Sequence, residues 1–240
     1  MRATALPHQR GYSLIEISVV LGVLGVLTFA VTSGLENIQQ FRQHRAAVAS
    51  AESARNALRA FALRNKRLPC PDNSSDGSRG REPSGSCPAN AGWLPWETLD
   101  LPRPAASARL KYGVYTGPGA NLVAPVPSAS DGLDLERGGG FLAALRQAVS
   151  ATPGTAAPYY VQGRADTCSG VPLLNPAFVV IAPAADLGGR GTFFESSNAT
   201  FGAGNRCTGS PARRPDASND DVVLAESSAA LLGWVSGTTR

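Results

Sequence analysis

Residues 10–31 read Arg-Gly-Tyr-Ser-Leu-Ile-Glu-Ile-Ser-Val-Val-Leu-Gly-Val-Leu-Gly-Val-Leu-Thr-Phe-Ala-Val. No charge falls between Ile17 and Val31, and from Tyr12 to Leu35 Glu16 is the one charged side chain. As a helix rising 1.5 Å per residue, 12–35 spans about 36 Å, enough for the ~30 Å of a hydrocarbon core. No proline follows Gly11 until Pro69, so nothing obligatory breaks a helix in between. The spacing predicts one helix over about 12–65. Its first part, 12–35, is a membrane segment, and 36–67 form an amphipathic stem.

Three kinds of segment compete for this stretch. A conventional signal peptide is apolar throughout and is cut beyond its core, where Ala30-Val31-Thr32-Ser33-Gly34 offers small residues. It leaves Glu16 unexplained. A plain anchor places the same carboxylate in lipid at a cost of a few kcal/mol. Arg42 and Arg45 beyond the membrane segment nearly balance Arg2 and Arg10 before it, so basic residues do not set its orientation.

The third kind accounts for every residue. Arg10-Gly11-Tyr12-Ser13-Leu14-Ile15-Glu16, followed by the apolar run, resembles the processing site of type IV pilin-like proteins, here with Tyr12 where phenylalanine is usual. The resemblance implies that a prepilin peptidase removes the leader, 1–11, between Gly11 and Tyr12. It also implies N-methylation of the new amino terminus and a helix retained in the mature chain. Glu16, fifth in that chain, falls on the family's assembly glutamate. A carboxylate in a low-dielectric setting needs a cationic partner, and the freed amino group of Tyr12 in a neighbouring subunit would supply it. Other pilin or pseudopilin subunits, the inner membrane and a pilus or secretion assembly platform are then the expected partners.

Ile38, Phe41, Val48, Ala51, Leu58 and Phe61 recur at helical spacing in the stem, with Arg42, Arg45, Arg55, Arg59 and Lys66 mainly elsewhere. Leu68-Pro69-Cys70-Pro71-Asp72 ends the helix and opens the body, 68–240. With Gly92-Trp93-Leu94-Pro95-Trp96 it resembles a subgroup of large pilin-like proteins. Trp93 and Trp96 are expected to fill the core. Alternation marks Arg109–Tyr115 as a strand with Leu110, Tyr112 and Val114 on one face; Tyr159–Gln162, Ala177–Ala182 and Asp221–Ala225 are further strands. Phe141–Val149 and Glu226–Val235 read as short helices. The expected fold is α+β, a long N-terminal helix packed on a small antiparallel sheet, the layout that pilins use.

Charged residues make up only 17% of the chain, beside 26 glycines and 18 prolines, which points to a loop-rich folded body rather than a disordered one. From Leu68 onward lie 13 of the 22 basic and 15 of the 18 acidic residues, so the body is near neutral and composition implies no nucleic-acid surface. Cys70, Cys87, Cys168 and Cys207 form no metal-binding spacing. In an exported chain they make two disulfides, and 70–87 with 168–207 close the shortest loops.

No nucleophile arrangement, GxSxG or phosphate loop is present. His44, the one histidine outside the leader, reads as a solvated stem position, and Gly188-Gly189-Arg190-Gly191 as a turn. Asn219-Asp220-Asp221 reads as a capping turn, with Asp220 and Asp221 as candidate calcium ligands because a carboxylate-rich loop binds calcium in some secretion pseudopilins. No other cofactor is expected. The expected function is a non-enzymatic minor pilin or pseudopilin of a type IV pilus or type II secretion filament, its body in the periplasm. The alternative is an adhesive or DNA-capturing pilin using Arg79, Arg81, Arg213 and Arg214 on phosphates.

Overall fold

The computed structural model describes residues 14–117, 119–125, 140–161, 168–187, 193–216 and 218–238, with backbone alone over 29–37. The elements are α1 (Leu14–Asn65), β1 (Ala91–Trp93), β2 (Lys111–Val114), β3 (Thr116–Gly117), β4 (Ala120–Asn121), α2 (Gly140–Ser150), β5 (Tyr159–Val161), β6 (Pro172–Leu174), β7 (Phe178–Ala182), α3 (Ser196–Thr200), β8 (Cys207–Thr208), β9 (Val222–Glu226) and α4 (Ser228–Thr238). The chain divides into two compact units, Met1–Arg42 and Gln43–Arg240. The fold is mixed α+β.

In the second unit the main sheet has the order β1-β2-β7-β9, antiparallel throughout. Every residue of β7 is buried, and its uninterrupted Phe-Val-Val-Ile-Ala sequence suits a strand covered on both faces. Alternation divides the faces. Phe178, Val180 and Ala182 join Tyr112 and Val114 in the larger core, while Val179 and Ile181 meet Ala91 and Phe201 in a smaller one. The larger core takes Ala47, Ala51, Ala54, Leu58, Phe61 and Ala62 from α1, Phe141 and Leu145 from α2, and Leu231 and Val235 from α4.

The α1 stripe departs from expectation at Val48, which is 40% exposed. Ala47 and Ala54 face the core beside the expected Ala51, because small side chains let a helix backbone approach the surface it covers. Ile38 and Phe41, in the first unit, are also exposed. The sheet β6-β5-β8 brings a second departure, since β5 and β8 run parallel. A parallel pair needs a long crossover; β6, β7 and α3 supply it.

The helix stops where sequence places the stop. Lys66 turns left-handed, φ 53°, the conformation that ends many helices. Arg67 then pairs doubly with Glu82 at 2.8 and 2.7 Å, and Glu82 also accepts the Cys70 N–H at 3.0 Å. Fully buried Asp72 accepts bonds from the Ser74 N–H and hydroxyl and the Gly80 N–H. Trp93 and Trp96 are half-buried and roof this loop rather than fill the core. Their rings occupy the space where side chains at Gly77 and Gly80 would stand, both glycines at positive φ.

The disulfides are Cys70–Cys87 and Cys168–Cys207. Opening the first with paired serines is expected to lower stability by about 3 kcal/mol, and the second, closing a longer loop, by somewhat more. Urea unfolding of each double variant measures this. Equal stability with and without a bridge would show that its loop is held by packing alone.

Candidate functional site

Two regions of the molecule bear on function. The first is the start of α1. Its described side chains, Leu14–Thr28, are exposed on all sides of the helix, with Leu14 88%, Ile15 75% and Val26 70% exposed. Its hydroxyls bond inward: Ser18 donates to the Ile15 carbonyl at 2.8 Å and Thr28 to the Leu24 carbonyl at 2.6 Å. Glu16, in the first turn, is exposed amid this apolar surface. The stretch is about 22 Å long. Among the described residues no helix is long and apolar enough to cross a membrane. The span expected over 12–35 extends past the described side chains at both ends, and Gly11, Tyr12 and the leader lie outside the described residues.

The second region is a carboxylate cluster in the body. The turn before β9 presents Asp220 and Asp221, and the residue before α3 presents Glu195; one carboxylate oxygen from each lies within 4.8 Å of the others. Asp220 is buried and accepts the Ala185 N–H at 3.3 and 3.1 Å. Asp221 accepts the Glu195 N–H and the Asn198 side-chain amide, each at 3.0 Å. Both aspartates therefore bond N–H groups of distant segments rather than a cap of their own turn. The two Glu195 oxygens and one Asp221 oxygen are shut off from solvent without a hydrogen-bond partner.

Electrostatics follow from this crowding. Burial, then the charges of Asp221 and Asp220, push the Glu195 carboxyl up to about 8. Burial raises Asp221 as well, against the bonds it accepts, and raises Asp220 despite its bond from Ala185. One proton retained on the cluster relieves the repulsion. A hard cation would relieve it equally: oxygens 2.3–2.6 Å from a shared calcium lie within about 5 Å of one another, so the observed spacing fits. Asp220, Asp221 and Glu195 are the residues that would hold it.

The sign of the pH dependence is fixed. A carboxyl whose folded value is raised retains a proton that the unfolded chain has released, so stability is full below the unfolded value and falls as pH rises toward the folded one. The melting temperature is expected to fall between about pH 4.5 and 8. Glu195→Gln is expected to flatten that slope, and millimolar calcium to raise the melting temperature at pH 8 in the parent but not in Asp221→Asn. Melting curves at fixed ionic strength read both effects, and a slope unchanged in Glu195→Gln would remove the carboxyl from the account.

Lys111 sits beside this cluster, 7% exposed. Its ammonium donates to the Asn198 and Ala199 carbonyls at 2.7 and 2.8 Å and lies 4.7 Å from the Phe194 ring centre. Burial pulls it down to about 8 against the opposing charge of Asp221. His44, expected to be solvated, is half-buried, with Nδ1 3.3 Å from the Asp220 carbonyl.

Sequence reading singled out Asp220 and Asp221 and missed Glu195 and Lys111. Nothing near Glu195 in the sequence marks it, because loop geometry alone brings it to the β9 turn. Lys111 carries no such signal either, since alternation with Leu110, Tyr112 and Val114 puts it on the other face of β2, where it pairs with Ile181 of the smaller core. Three of the four arginines considered for phosphate contact have partners within the body. Arg81 pairs with Glu97, Arg213 with Asp216 at 2.9 Å, and Arg79 donates to Asn73 at 3.3 Å. Arg214 is exposed. Gly188–Gly191 lie outside the described residues.

No protein-family model matches the chain, and neither a curated protein nor a solved structure matches it significantly.

Proposed function

We propose that the protein is a minor pilin or pseudopilin, a structural subunit of a type IV pilus or type II secretion filament. A prepilin peptidase cuts it after Gly11, and it assembles through its N-terminal helix. The observation that carries this reading is the apolar surface of α1. Leu14, Ile15, Ile17, Val19, Val20, Leu21, Val23, Leu24, Val26 and Leu27 are all more than half exposed. A soluble monomer rarely leaves so continuous an apolar surface uncovered. Lipid covers it before assembly and neighbouring helices cover it afterwards, with Glu16 meeting the amino terminus of Tyr12 in an adjacent subunit.

The rest of the molecule is consistent with that role. In this reading α1 is a single pilin-type helix whose later part, from Gln43, is fastened to the sheet of the body. Two disulfides suit an oxidising compartment, so the body resides in the periplasm and the helix passes once through the inner membrane. The alternative of phosphate capture draws little from the geometry, since Arg81 and Arg213 are spent on acidic partners.

Intact-mass measurement of the chain co-expressed with a prepilin peptidase tests the reading directly. Loss of residues 1–11, with a methyl group added at Tyr12, is the expected result. An unprocessed chain, or one cut near Gly34, would overturn it.

A further inference from the structure

We draw no further inference here: the strongest candidate, the cavity of about 880 Å³ between the end of α1, the Cys70–Cys87 loop and the start of α2, is bounded by Pro125 and Gly140 at the two ends of a segment outside the described residues, and its Arg67 is already paired with Glu82.

Discussion

Glu226→Ala is expected to destabilise the protein by about 3–5 kcal/mol, the range for stripping one partner from a buried ion pair. Glu226 is 4% exposed. Its two oxygens meet Arg55 at 3.0 Å and Arg59 at 2.7 Å, and Arg59 lies over the Trp234 ring, 5.5 Å from its centre. Alanine would leave Arg59 over the Trp234 ring without its carboxylate and Arg55 with Glu52 as its remaining partner. At roughly 2–4 °C per kcal/mol for a domain of this size, the melting temperature should fall by about 6–20 °C. Glu226→Gln keeps the shape and one acceptor, so it should lose less. A double-mutant cycle with Arg59→Met isolates the pair. Thermal melts within a degree or two of the parent for Glu226→Ala would mean that water replaces the carboxylate at no cost.

Register explains why that glutamate is where it is. Glu226 pairs with Phe178, and Leu224 with Val180. Both rungs lie on the face that packs against α1, so the strand's last inward position meets the two arginines one helical turn apart. The ion cluster thus joins the C-terminal strand to the part of α1 in the same unit. It also explains why Arg55 and Arg59, which spacing places mainly off the apolar stripe, are half-buried.

The second large effect concerns Glu16 and rests on the proposed filament role. Glu16→Ala is expected to leave processing after Gly11 intact and to reduce incorporation into filaments at least tenfold. A neighbour's ammonium left without its carboxylate in an apolar core costs several kcal/mol, and each 1.4 kcal/mol is tenfold in an equilibrium. Glu16→Gln should not restore assembly, because the charge is what the partner needs. Mass spectrometry of the membrane fraction reports processing, and immunoblots of sheared filaments report incorporation. Normal incorporation of the alanine variant would remove Glu16 from assembly and leave the apolar surface as the only assembly element.

Much of the fold was legible because local signals and tertiary packing agree. The uninterrupted apolar run at Ala177–Ala182 is strand β7 to within one residue, and the Gly-to-Phe transition at 140–141 opens α2. Proline at 69 and 71 has one physical consequence in any context, and α1 ends at Asn65 just before them. Val48 was misread because periodicity gives a stripe and cannot tell which edge of it meets the sheet. The two tryptophans were misread because size suggested core, whereas loop glycines at 77 and 80 had made room for them outside it.

The candidate sites divide along the same line. Sequence by itself determined the apolar stretch with its single carboxylate, the loop-rich body and the disulfide pairing. Each of these depends on neighbours along the chain or on the cost of closing a loop, and such costs are read from spacing. Only the tertiary structure decided that Glu195 joins Asp220 and Asp221, that Lys111 is buried beside them, and that Glu226 holds Arg55 and Arg59. Those meetings join residues from strands, turns and helices far apart in sequence. Whether a carboxylate is solvated, capped, paired or protonated depends on the dielectric and the charges around it, and only the folded chain creates these.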